Sequence, residues 1–230
     1  MAQTDAWKGC GKLNVEGEVN FKGSGNFARM SAIADTGSSQ MAETLQKKMT
    51  VEAFFDWQLK QDRNYELVDG VPVMTVKAMT GAGDQHDRIT VNAIGTLFQQ
   101  LRGKSCRPKT SDTSVLTSRG TRRPDITIEC GSPKPRDMAA DEPRVVIEVL
   151  SPSTMRFDRF QKLAEYQQHP RIRVILLIDS EAPQVTIWRR NSERWATEEL
   201  EGLGAVVELP EIDAKLPLAE LYLGIEFETA

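Results

Sequence analysis

The sequence predicts an α/β fold, a mixed β-sheet flanked by helices around one core, and three observations carry that prediction. Strand-like runs interleave with helix-period segments from about residue 49 onward, the pattern of a layered α/β domain. The run Val-Val-Ile-Glu-Val-Leu at 145–150 is apolar on both faces, as a central strand must be. Asp69-Gly70 separates two short β-rich segments by two residues, the turn chemistry of a tight hairpin. With 230 residues, 40% apolar and 27% charged, the chain suits one domain plus an extension and is no collagen-like or wholly disordered polymer.

The elements follow in chain order. Residues 1–48 show little apolar periodicity and hold Gly-rich clusters, so a mobile extension is expected there, with one short strand near 18–21. The run Gly23-Ser24-Gly25 loosely matches a dinucleotide fingerprint but lacks the flanking strand and βαβ unit that motif needs. From Met49 the domain begins. Thr50 is placed to cap a helix running to about Lys60, with Met49 and Phe54 spaced as a hydrophobic staple. The hairpin pairs Val68 with Val71 and Glu66 with Val73. Asp84 is expected to cap a helix whose stripe is Ile89, Ala93, Ile94, Leu97, Phe98 and Leu101, ended by Gly103. Strands are expected at 114–117, 125–128 and 145–150, and a helix at 155–168 stopped by His169-Pro170. A buried strand at 174–178, an outer hairpin at 185–189 and 195–200, and a short helix at 218–222 close a domain reaching residue 223, with 224–230 as a tail.

Composition excludes several functions. The longest apolar stretch, residues 174–178, is five residues, far below the ~20 that span a bilayer. No basic-then-apolar leader opens the sequence, so a cytoplasmic protein without membrane contact is expected. Cys10, Cys106 and Cys130 form no CxxC pair, and free thiols are expected. His86 and His169 are the only two histidines, so a multi-histidine metal site is excluded and any metal must be held mainly by oxygen. Net charge is −4, yet from Arg102 to Arg123 seven basic residues stand against one acid. Such a segment is a phosphate-contacting patch or a solvated loop, and charge alone does not choose.

Glu148 is the anomaly. A carboxylate inside an apolar strand must meet a cation, because an unpaired buried charge costs at least several kcal/mol. An arginine salt bridge and a functional carboxylate both answer that need. Asp125, just after Pro124, can lie beside Glu148 if the strands around 126 and 147 pair, and a divalent cation is the common remedy for two carboxylates so close. Lys162 follows on the next helix, in a spacing-four stripe with Asp158 and Tyr166. By spacing alone it is an ordinary exposed Asp–Lys pair.

Taken together, Tyr65-Glu66-Leu67-Val68-Asp69-Gly70, His86 at a helix start, Arg123-Pro124-Asp125, and Glu148-Val149-Leu150-Ser151-Pro152-Ser153-Thr154 with Asp158, Lys162 and Tyr166 resemble the Uma-two family of putative restriction endonucleases. The likeness runs from about Met49 to Tyr222. That family belongs to the PD-(D/E)XK nuclease superfamily, so the resemblance implies a restriction-endonuclease-like core. It makes Asp125 the motif aspartate and Glu148 the second acid. The superfamily's lysine position holds Leu150, and Lys162 on the next helix is the implied replacement. Glu66 matches a further family acid, although here it reads as a hairpin strand residue.

What the resemblance implies is a magnesium- or manganese-dependent DNA endonuclease. Asp125, Glu148 and the Val149 carbonyl would hold the ion, and Lys162 would orient the attacking water. Lys104, Arg107, Lys109, Arg119, Arg122 and Arg123 would hold the DNA backbone, with His86 a proton carrier or a packed first-turn histidine. A homodimer is an allowed assembly. The alternative is a nuclease-like fold that binds DNA or protein without cutting. A two-carboxylate glycosidase would leave Lys162 and the basic segment without a role.

Overall fold

The computed structural model describes residues 48–75, 83–134, 136–150, 158–192 and 194–227. The expectations for residues 1–47 and for Ser151-Pro152-Ser153-Thr154 lie outside them. Helix α1 (Val51–Gln58) starts where expected, with Thr50 Oγ1 accepting the Ala53 N–H at 3.2 Å. Strands β1 (Tyr65–Val68) and β2 (Val71–Met74) pair in the expected register, Val68 opposite Val71 and Glu66 opposite Val73. Asp69 and Gly70 take φ of 51° and 85°, the doubly positive turn that matches strand twist. A Cβ at Gly70 would also stand 2.8 Å from Lys48 Cβ, so only glycine fits.

Helix α2 (Asp84–Leu101) departs from expectation at its start and on one side. Its N-cap is Gly83, and Asp84 and Asp87 lie in the first turn, where their charge complements the helix dipole. Ile89, Ala93, Leu97 and Leu101 are buried, but Phe98 is 52% exposed, because it falls a full residue's rotation away from that spacing-four row. The Arg102 guanidinium covers its ring at 5.8 Å.

The main sheet has six strands in the order β10-β9-β8-β7-β6-β3. They are β3 (Arg107–Thr110), β6 (Ile126–Glu129), β7 (Pro143–Leu150), β8 (Val174–Asp179), β9 (Gln184–Asn191) and β10 (Arg194–Glu201). Among the described strands of this sheet only β7 and β8 run parallel, joined through helix α3 (Asp158–Gln168), as a parallel pair requires. Strand β3, Arg-Pro-Lys-Thr, carries no strand pattern. It is an edge strand, where Pro108 removes no inner ladder bond. A four-stranded antiparallel sheet, β2-β1-β5-β4, adds β4 (Val115–Thr117) and β5 (Gly120–Arg122). Strands β11 (Val206–Leu209) and β12 (Ala214–Pro217) form a third sheet before helix α4 (Leu218–Leu221).

Alternation along β7 divides the core into two layers. Val145, Ile147 and Val149 join Ile126, Ile128, Leu176 and the buried stripe of α2, with α4 closing that side. Val146 and Leu150 join Ile175, Leu177 and, from α3, Leu163 and Tyr166. Ile225 and Phe227 pack onto the first layer, so the chain beyond residue 223 contributes to the domain. Cys106 and Cys130 form a disulfide rather than free thiols, because the Arg107–Glu129 pairing of β3 and β6 sets them opposite each other, Cα to Cα 3.9 Å. No helix among the described residues is long and apolar enough to cross a membrane.

Candidate active site

Glu148 leaves β7 on the α3 side of the sheet, between Val146 and Leu150, and is half-buried. The Tyr166 hydroxyl donates to its Oε1 at 2.7 Å. Burial, then the charges of Glu148 and Glu66, push that hydroxyl's pKa well up, so Tyr166 remains protonated and a donor. Asp125 is 4% exposed. Its Oδ2 accepts the Val149 N–H at 2.7 Å and stands 3.1 Å from His86 Nε2. One step inside it, Ile126 pairs with Ile147, which sets Asp125 opposite Glu148 across β6 and β7. The two carboxylates therefore share one end of the sheet while reaching for partners on different helices.

Lys162 lies one helical turn before Tyr166 on the same side of α3. Its side chain is 17% exposed, and its ammonium meets Glu66 Oε1 at 3.0 Å. The same oxygen accepts the Arg123 N–H at 3.0 Å, and Oε2 accepts from Arg122 Nη1 at 3.0 Å. Burial alone would raise the Glu66 pKa, but Lys162, the Arg123 amide and Arg122 outweigh it and hold the carboxyl below its ordinary value. A hairpin residue thus reaches a lysine of α3.

The far end of α3 is fixed as well. Arg190 Nη2 donates to the His169 carbonyl at 2.9 Å and also to that of Gln167, and Trp195 Nε1 donates to Gln167 at 3.1 Å. These bonds satisfy carbonyls that a helix end leaves open. The β9–β10 hairpin so holds the helix that carries Lys162 and Tyr166.

The expected basic patch is not a row of exposed cations. Arg122 and Arg123 are 2% and 5% exposed, which removes both from a DNA-backbone role. Arg123 donates to the carbonyls of Tyr65, Ser111 and Asp112 at 2.9, 3.0 and 2.8 Å. Lys104 meets Asp213 at 2.6 Å, Arg107 and Lys109 meet Glu129 at 2.9 and 3.7 Å, and Arg119 pairs with Asp69. The reason is in the strands: β3 and β5 bring these cations against acids of neighbouring elements. Glu165 escaped the sequence reading. It is 3% exposed and takes Arg122 Nε and Nη2 at 2.9 and 2.6 Å. The one signal was a pair of adjacent arginines before Pro124 that needed acids.

The site thus has an acid on the central strand of a mixed sheet and a lysine on the helix that follows it. The chain superposes on a crystal structure of a putative nuclease belonging to DUF820 from Anabaena variabilis. The TM-score is 0.60 and the identity 18%, over 76% of this chain and 97% of that one. At that identity the likeness establishes the fold. The profile of the Uma2 family, described as "putative restriction endonuclease", matches residues 51–219, and the chain belongs to that family. Two uncharacterized proteins of Synechocystis sp. are similar. Slr1290 is 29% identical over 153 residues, 64% of this chain and 76% of that protein. Sll1609 is 30% identical over 136 residues, 56% and 77%.

Proposed function

We propose that this protein is a metal-dependent endonuclease that hydrolyses phosphodiester bonds of DNA. The observation that supports the reading is that Ile126 pairs with Ile147, next to Asp125 and Glu148, while α3 supplies both Tyr166, which donates to Glu148, and Lys162 one turn before it, held by Glu66. Among the described residues no three His, Cys, Asp or Glu side chains form a metal cage. The donor set instead suits an ion that keeps waters and substrate phosphates in its shell, as Mg²⁺ does with one or two carboxylates. Asp125, Glu148 and the Val149 carbonyl would hold Mg²⁺ or Mn²⁺, which polarises a phosphate oxygen and lowers the pKa of bound water.

The chain's own groups supply the rest. Glu66 holds the Lys162 ammonium, which would orient the attacking water. The water's oxygen bonds to phosphorus as the P–O bond to the leaving strand breaks, its proton passing to solvent and the leaving oxygen taking one from solvent. The same cation offsets charge gathering on the phosphate oxygens. Tyr166 fixes the rotamer of Glu148, and the Val149 amide and His86 fix that of Asp125. His86 is 6% exposed, so it orients Asp125 rather than trading protons with solvent. A homodimer would offer one such centre to each strand of a duplex, and its mass in gel filtration tests that assembly.

Supercoiled plasmid incubated with Mg²⁺, Mn²⁺ or EDTA tests the activity. Nicked or linear product is expected with either metal and none with EDTA. Lys162→Ala should lower the rate by roughly 10² to 10⁴. A wild type that shifts DNA in a gel but cuts none under any metal would establish the binding-only alternative instead.

A further inference from the structure

Arg122 is held by two acids and is remote from solvent. Its Nε and Nη2 grip Glu165 at 2.9 and 2.6 Å, and its Nη1 reaches Glu66 at 3.0 Å. Thr117 Oγ1 donates to Glu165 as well, at 2.8 Å. Glu66 in turn holds Lys162 at 3.0 Å. Lys162 and Glu165 stand three residues apart on α3, about one turn. The contacts therefore close on themselves: Arg122 to Glu165, along the helix to Lys162, across to Glu66, and back to Arg122. The ring joins β1, β5 and α3, and its two carboxylates balance its two cations.

We propose that Arg122 and Glu165 are positioning residues, which fix the Lys162 ammonium against the Glu148 end of the sheet by closing this ring. The inference rests on the nuclease reading and extends it to two residues that touch no reacting atom. Lysine has four rotatable bonds, and a single ion pair at its tip would leave the ammonium free to swing. Glu66 cannot swing with it, because Arg122 and the Arg123 amide already hold both of its oxygens. Arg122 cannot shift either, because the Glu165 fork fixes its plane. Only a guanidinium can do this, since it presents directional donors to two acids at once where an ammonium is a point charge. A purely structural need at this depth would be met at least as well by apolar residues, given what it costs to bury ion pairs.

The test joins stability to kinetics on the full chain. Lys162→Met and Glu165→Gln form a double-mutant cycle in urea unfolding. The ring predicts that their effects on the folding equilibrium constant depart from multiplicativity by about threefold or more. In a Glu66→Gln background the departure should fall below about twofold, the size left to a direct contact between helix neighbours. Glu165→Gln should also lower kcat for plasmid cleavage by about 10- to 100-fold with KM nearly unchanged, the mark of a misplaced group rather than a lost binding contact. Glu165→Asp, which keeps the charge, should recover part of that loss.

Multiplicative effects, or a coupling that survives Glu66→Gln, would overturn the ring. A coupled ring with wild-type kcat in Glu165→Gln would overturn the positioning role alone. Absence of cleavage by the wild type under every metal would overturn the nuclease reading, and the catalytic purpose of the ring with it.

Discussion

The two faces of the six-stranded sheet are built by opposite means, and β7 shows both within one strand. On the α2 face Val145, Ile147 and Val149 enter an apolar layer with Ile126, Ile128 and the buried stripe of α2. On the α3 face Val146 and Leu150 flank Glu148, and the layer ends in buried Glu66, Arg122 and Glu165 with Lys162 beside them. Apolar burial is non-directional and tolerates exchange at constant volume. A buried charge is directional, and each one needs a particular partner in a particular place. The first face supplies stability; on the proposed reading, the second places the groups of a nuclease site.

The sharpest way to break the contrast is to remove a charge from the second face. Arg122→Met leaves Glu66 and Glu165 buried without their shared cation and should cost ~3–5 kcal/mol in urea unfolding. Leu97→Ala on the first face should cost ~2–5 kcal/mol, set by the cavity left behind and indifferent to salt. Tyr166→Phe removes one donor from Glu148 and should cost about 1.5–3 kcal/mol, since the acceptor is charged. Ile147→Val, a single methyl group on the apolar face, should cost only ~0.5–1.5 kcal/mol.

Acid adds a test of sign. The Glu66 carboxyl is held below its ordinary value of 4.5, so its contribution is fully present above that pH and is lost as pH falls through the depressed value. Unfolding measured from pH 7 downward should show this acid loss in the wild type and a shallower one in Glu66→Gln.

Much of this fold was legible because it follows from pattern. The Asp69-Gly70 hairpin, the Thr50 cap and the central β7 depend on local turn chemistry or on apolar runs, and each stands where the sequence placed it. Strands β3 and β5 were illegible, because Arg-Pro-Lys-Thr and Gly-Thr-Arg owe their conformation to neighbours rather than to alternation. The same blindness misread the arginines. A sequence shows a run of positive charge but not the acids brought to it from β1, β6 and α3. Glu165 was hidden for the same reason, since its partner is 43 residues away. Glu148 was visible as a carboxylate inside an apolar strand and Asp125 as its neighbour if the two strands pair, whereas Lys162, an ordinary exposed Asp–Lys pair by spacing, gained a role only through the family resemblance.

The central claim is that Asp125 and Glu148 share a divalent cation at the polar end of the sheet. Calorimetric titration of Mn²⁺ into the wild type and into Glu148→Gln, with thermal melts of both, tests it most directly. The account predicts binding by the wild type, its loss in Glu148→Gln, and a variant that melts no lower than the wild type without metal, because a repulsion between carboxylates has been removed. Equal Mn²⁺ affinity in both proteins, together with a lower melting point for Glu148→Gln, would contradict it and leave Glu148 a structural charge.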